Sequence, residues 1–121
     1  MTVRDLNPHL RPVTKEQAEN LTELARRITL LEELMERTFT VNSGFRTYMD
    51  QMRINVRCPK SAHTEGKAVD LDDKDGSIYD FLINNPDMLI KLDFYVEQKT
   101  FTPKWIHLQT RPTSVRFFKP F

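Results

Sequence analysis

Two histidines and an aspartate place the tightest constraint on how this chain of 121 residues folds. His63 and Asp70 lie in Ser61-Ala62-His63-Thr64-Glu65-Gly66-Lys67-Ala68-Val69-Asp70, and His107 follows in Trp105-Ile106-His107. His63 and Asp70 are too far apart to share one helical turn, so they require a loop followed by a strand. Gly66 lets the backbone bend between them. Asp70 stands between Val69 and Leu71, and a carboxylate among apolar neighbours needs a partner, because an unpaired buried charge is expensive. His107 alternates with Ile106 and Leu108, so Trp105, His107 and Gln109 share the face opposite to theirs. A lone histidine on a strand is usually a core or surface residue. Two imidazoles and a carboxylate together match a zinc ion whose fourth position stays open, which is the ligand set of a catalytic site.

The remaining sequence predicts a single α+β domain over 1–121, with helices on one face of a small antiparallel sheet. Residues 1–13, with Pro8 and Pro12, read as an extended lead-in. Residues 14–37 read as a helix. Thr14 and Gln17 have capping-box spacing, and Ala18, Leu21, Leu24, Ala25, Ile28, Leu31, Leu34 and Met35 form one apolar stripe opposite a charged face. Strands are expected at 39–43, 68–71, 92–97 and 105–110. A second helix is expected up to Asn55, and a third from Ser77 to Asn84, closed by Pro86. Loops fill 57–65, 72–76 and 99–103, and 112–121 forms a C-terminal tail.

Composition excludes several classes. Charged residues make up 29% of the chain but the net charge is only +1, so no basic footprint for nucleic acid or an anionic membrane exists. Cys58 is the only cysteine, which rules out an internal disulfide and a thiolate zinc cluster. No apolar run is long enough to span a bilayer. The first residues lack a secretory apolar segment, so the expectation is synthesis in the cytoplasm. The acidic run Asp70 to Gly76 fails as a calcium loop in either register, because Lys74 or Leu71 falls where an acid is needed. Its acids read as a solvated turn.

Ser61, His63, Gly66, Ala68, Asp70, Trp105 and His107 together match the pattern Ser-x-His-x-x-Gly-x-Ala-x-Asp followed by Trp-x-His. In this the chain resembles the zinc D-Ala-D-Ala carboxypeptidases, whose fold is shared with the Hedgehog signalling domain. Ser43-Gly44-Phe45-Arg46 resembles the element that precedes the zinc motif in that family. The resemblance implies one zinc ion held by His63, Asp70 and His107. It implies that Arg46 reaches the substrate carbonyl or carboxylate, that Ser61 and Trp105 contact substrate, and that the substrate is a peptidoglycan stem peptide. A guanidinium suits the role of Arg46, being a permanently charged fork of donors. Ser61 and Arg46 also have plain readings, as a loop cap and a surface ion-pair partner.

The pattern breaks at one position. The family's proton-transferring acid stands three residues before the second histidine, where this chain has Lys104. An ammonium cannot accept a proton. Three outcomes stay open, in this order: another carboxylate (Glu97, Asp93, Glu65 or Asp72) takes over; the fold keeps the metal without the chemistry; or Lys104 is neutral beside the metal. The leading expectation is therefore a zinc metallopeptidase acting on the cell wall, as a carboxypeptidase or an endolysin-type endopeptidase. Without a leader, such a protein reaches the wall through phage lysis or as a virion component. The alternative is a catalytically impaired metal-binding or virion module. The aromatic, basic tail Val115-Arg116-Phe117-Phe118-Lys119-Pro120-Phe121 either docks on a partner or packs on the core, and packing is preferred.

Overall fold

The computed structural model describes residues 1–120; Phe121, the last residue of the tail, lies outside them. The chain runs α1 (Val3–Leu6), α2 (Lys15–Met35), β1 (Val41–Ser43), α3 (Tyr48–Ile54), a 3-10 turn (Ala62–Glu65), β2 (Ala68–Asp72), α4 (Ser77–Asn84), α5 (Pro86–Leu92), β3 (Tyr95–Glu97), a second 3-10 turn (Lys99–Phe101), β4 (Trp105–Gln109) and β5 (Phe117–Phe118). The five strands form one sheet in the order β1-β2-β4-β3-β5. All neighbours are antiparallel except β3 and β5, which pair in parallel. The α+β class is as expected, but the sheet is mixed. Its fifth strand comes from the tail, where Phe117 also packs against the core.

Strand alternation divides the sheet into two chemically different faces. Val69, Leu71, Val96, Ile106 and Leu108 are fully buried and join Leu21, Leu24, Ile28 and Leu31 of α2 in one core cluster with Ile78, Leu82, Leu89 and Phe94. Each such aliphatic side chain contributes about 1.5–3 kcal/mol by leaving water. Asp70, His107, Gln109 and Glu97 point to the other face, where they line a cleft. Helices do not all lie on the core side, because Gln51 and Ile54 of α3 border that cleft.

Helix α2 begins as its sequence predicts: Thr14 Oγ1 accepts from the Gln17 amide at 3.1 Å and Gln17 Oε1 accepts from the Thr14 amide at 2.8 Å. Two expectations about its faces fail. Leu34 is exposed, lying beside Met88 and Leu92. Glu32 is buried, because its carboxylate accepts the Phe39 amide at 2.8 Å and the Met1 amine at 2.8 Å.

Other expectations are corrected as well. Residues 1–13 are not all extended. Thr2 and Asp5 cap each other to start α1, and Leu6 is fully buried. Pro86 does not merely close α4. It opens α5, at a first-turn position where its missing N–H is not needed. Leu92 consequently ends a helix, and β3 begins only at Tyr95.

Asp73 is no solvated acid. It is buried, and its two carboxylate oxygens accept the amides of Ile78 at 2.9 Å and Tyr79 at 3.0 Å, closing the start of α4. Asp73→Ala is expected to cost about 1–3 kcal/mol, since it strands buried donors at a helix start. A lowered urea midpoint with an unchanged slope checks this; an unchanged midpoint rules the cap out. Among the described residues, no helix is long and apolar enough to cross a membrane.

Candidate metal centre

The metal-centre residues converge because three separate segments are tied together. The 3-10 turn that carries His63 is fastened to α2: Gln17 Nε2 donates to the Thr64 carbonyl at 3.0 Å, and Asn20 Nδ2 donates to the Glu65 carbonyl at 2.9 Å. The polar start of α2, read in the sequence only as a cap, thus also positions His63. Gly66 ends the turn at φ 75°, and a Cβ there would stand 2.9 Å from the Gln17 carbonyl oxygen. Both the left-handed backbone and the close approach require glycine.

A second tie joins this turn to β1. His63 Nδ1 contacts the Gly44 carbonyl at 2.9 Å, and the Arg46 amide donates to the His63 carbonyl at 3.3 Å. Gly44 is itself pressed against α1, where a Cβ would collide with the Leu6 carbonyl. The neighbouring Phe45 amide donates to that same carbonyl at 2.7 Å. Asp70 and His107 are direct register partners on β2 and β4.

His63, Asp70 and His107 meet with candidate ligand atoms all within 4.8 Å of one another. Asp70 Oδ1 is 2.9 Å from His107 Nδ1, and Asp70 Oδ2 is 3.4 Å from His63 Nε2. Tetrahedral zinc ligands at bond lengths near 2.0–2.2 Å stand roughly 3.3–3.6 Å apart, so this spacing fits one ion after small shifts. The tautomers fit as well. His63 Nδ1–H donates to Gly44, which leaves Nε2 free to ligate. His107 Nε2–H donates to Gln109 Oε1 at 2.8 Å, which leaves Nδ1 as the ligand atom. Gln109 is held in that orientation because its Nε2 donates to the Arg111 carbonyl at 2.8 Å.

Burial disfavours charge on Asp70, yet its contacts with His107 and His63 outweigh it and hold the carboxyl well below the usual range. Burial also opposes charge on His107, but Asp70, Gln109 and Glu97 together raise its pKa above the ordinary value. Burial dominates at His63 and lowers its pKa. His107 is thus the imidazole whose charged form the surroundings favour, and a metal ion bound at Nδ1 would compete with a proton there.

These residues form the floor of a cleft of about 390 Å³, within the range of roughly 300–1,000 Å³ common for small-ligand sites. Arg46 lines it, with its guanidinium donating to Ser43 Oγ at 2.8 Å and Gln51 Oε1 at 3.0 Å and standing 3.6 Å from Asp70. Burial lowers its pKa from the ordinary arginine value. Ser61 lines the cleft too, though its Oγ also accepts the His63 amide at 3.3 Å as the cap of the 3-10 turn. Trp105 forms part of the wall.

Lys104 is exposed and does not line the cleft. Of the four substitute carboxylates, Glu97 alone borders it. Asp93 pairs with Arg116 and Arg27, Glu65 pairs with Arg111, and Asp72 lies at the far end of β2 opposite Trp105. Tyr95 faces Gln109 and Val96 faces Leu108, so one further step in register brings Glu97 level with His107. Burial, with Asp70 nearby, raises the pKa of Glu97.

Sequence reasoning did not single out Gln51, Arg111, Phe118 or Pro120, which also line the cleft. Only Gln109, two residues from His107 on the same strand face, left a local signal. No protein-family model matches the chain, nor does any curated protein or solved structure.

Proposed function

We propose that this chain is a zinc-dependent peptidase with a Hedgehog/DD-peptidase-like fold, acting on the stem peptides of peptidoglycan. The observation that carries the proposal is a buried His63/Asp70/His107 group on the floor of a cleft, with the Arg46 guanidinium and the Glu97 carboxylate both facing into it. A zinc ion held there supplies a Lewis acid and lowers the pKa of a bound water to about 7.

The chain's own groups divide the remaining work. Arg46, fixed by Ser43 and Gln51, presents donors to the oxyanion that develops on a scissile carbonyl. Glu97 accepts the proton of the attacking water and returns it to the leaving amine. Lys104, exposed outside the cleft, takes no part. Ser61 and Trp105 line the route along which the peptide lies.

The test uses zinc-loaded full-length protein and soluble stem peptides, one ending in D-Ala-D-Ala and one with an internal L-Ala–D-Glu bond, with products read by mass. Cleavage of either peptide, lost in both His63→Ala and His107→Ala, supports the reading. Cleavage unaffected by both substitutions eliminates the zinc mechanism. The second reading, a metal-binding module of a virion, is favoured by the lysine at the family's acid position. It gains if the protein holds zinc tightly and cleaves neither peptide.

A further inference from the structure

The order of the strands sorts the cleft's chemistry from one edge of the sheet to the other. Arg46 follows β1 at one edge, Asp70 and His107 sit on the central β2 and β4, Glu97 ends β3, and Phe118 lies on β5 at the far edge. The metal centre is therefore bracketed by a guanidinium on one side and by a carboxylate backed with an aromatic ring on the other. The position of Phe118 is fixed. Its carbonyl accepts the Gln98 amide at 2.9 Å, it pairs with Glu97 in register, and its ring meets the His107 ring edge-on with centroids 5.9 Å apart. Pro120 lines the same side of the cleft. The tail is thus part of the wall.

From this layout, and resting on the peptidase reading, we infer that Phe118 and Pro120 form the subsite for the residue on the amine side of the scissile bond, and that this subsite selects an apolar side chain. The carbonyl oxygen of the bond is drawn to Arg46. The leaving nitrogen must then lie near Glu97, which returns the proton to it: the C–N bond breaks, the acyl carbon keeps the water oxygen, and the amine takes the proton. The residue that carries that amine extends past Glu97 toward β5. There it meets a phenyl ring and a pyrrolidine ring. Glu97 beside them repels an acidic side chain, so the same wall selects against one.

The experiment compares three acetylated peptides ending in D-Ala-D-Leu, D-Ala-Gly and D-Ala-D-Asp. Binding is read through the fluorescence of Trp105, the chain's only tryptophan and a cleft residue. Cleavage by the zinc-loaded chain is read alongside. The D-Leu peptide is expected to exceed the Gly peptide by about tenfold, the scale of a modest apolar contact, with the D-Asp peptide weakest. Phe118→Ala should reduce the D-Leu preference to under about threefold, with zinc stoichiometry unchanged. Pro120→Ala, at an exposed position, should shift the ratio the same way by less, without threatening the fold. Equal binding of all three peptides, or a preference that both variants retain, overturns the inference and leaves the peptidase reading standing. A protein that binds no zinc, or loads with zinc and cleaves no peptide in either assay, overturns the peptidase reading, and the subsite falls with it.

Discussion

Metal-stripped protein is expected to take up one zinc ion per chain near neutral pH, and His107→Ala to weaken that binding by several hundredfold. Spreading the roughly 10–16 kcal/mol of a four-ligand zinc site over its ligands gives about 2.5–4 kcal/mol for each, and every ~1.4 kcal/mol is tenfold, so the range runs from roughly 60- to 700-fold. His63→Ala should fall in the same range. Gln109→Leu removes the acceptor that orients His107, together with the bond to the Arg111 carbonyl that holds it, so a loss of about 10–100-fold is expected. His9, the third histidine, is exposed and lines a different pocket, so His9→Ala should leave zinc binding intact. Competition with a chelator of known affinity measures all four. A wild-type chain that holds no zinc, or a His107→Ala variant that holds it as tightly, ends the metal-centre proposal. The chain would then keep the motif only as a scaffold, with Asp70 clasped between two imidazoles.

Glu97→Gln is expected to lower kcat by about 10²–10⁴-fold, the usual contribution of a general acid–base group. The amide keeps the side chain's shape but cannot take the proton. Zinc stoichiometry should not change, because Glu97 is outside the ligand group. Lys104→Ala should leave kcat close to that of the parent, since its side chain does not border the cleft. Opposite results for the two substitutions would return the proton shuttle to position 104 and remove Glu97 from the mechanism. Steady-state kinetics together with zinc content separates these cases, because a merely structural role for Glu97 would alter metal content or KM along with kcat.

The residues that could ligate a metal were legible because their signal is local. Spacing between His63, Gly66 and Asp70 already demanded a turn and then a strand, and the alternation around His107 already fixed the face on which it would lie. The structure places both as expected, with Asp70 and His107 as register partners. The capping box and apolar stripe of α2 were legible for the same reason: a helix writes its boundaries and its buried face within a few residues. Leu34 escaped that rule because it lies at the edge of the stripe, exposed beside Met88 and Leu92, while Met35 after it packs on the core.

Other features were decided by contacts that no periodic pattern announces. Nothing near Glu32 announces that its carboxylate will receive the Phe39 amide, and nothing near Asp73 beyond its acidic neighbours distinguishes a buried cap from a solvated turn. Glu97 stood level with three other carboxylates in the sequence. Only the placement of β3 beside β4 brings it into the cleft while Asp93 and Glu65 are turned to arginines. The tail read as a choice between partner and core until β5 paired with β3 and set Phe118 against His107. By itself, then, the sequence determined which side chains could ligate a metal and which helix and strands would carry them, because periodicity and spacing act over short distances. The order of strands across the sheet decided which carboxylate and which aromatic ring would face those ligands. Strand order is settled by packing between segments tens of residues apart, and it leaves no periodic trace in any one of them.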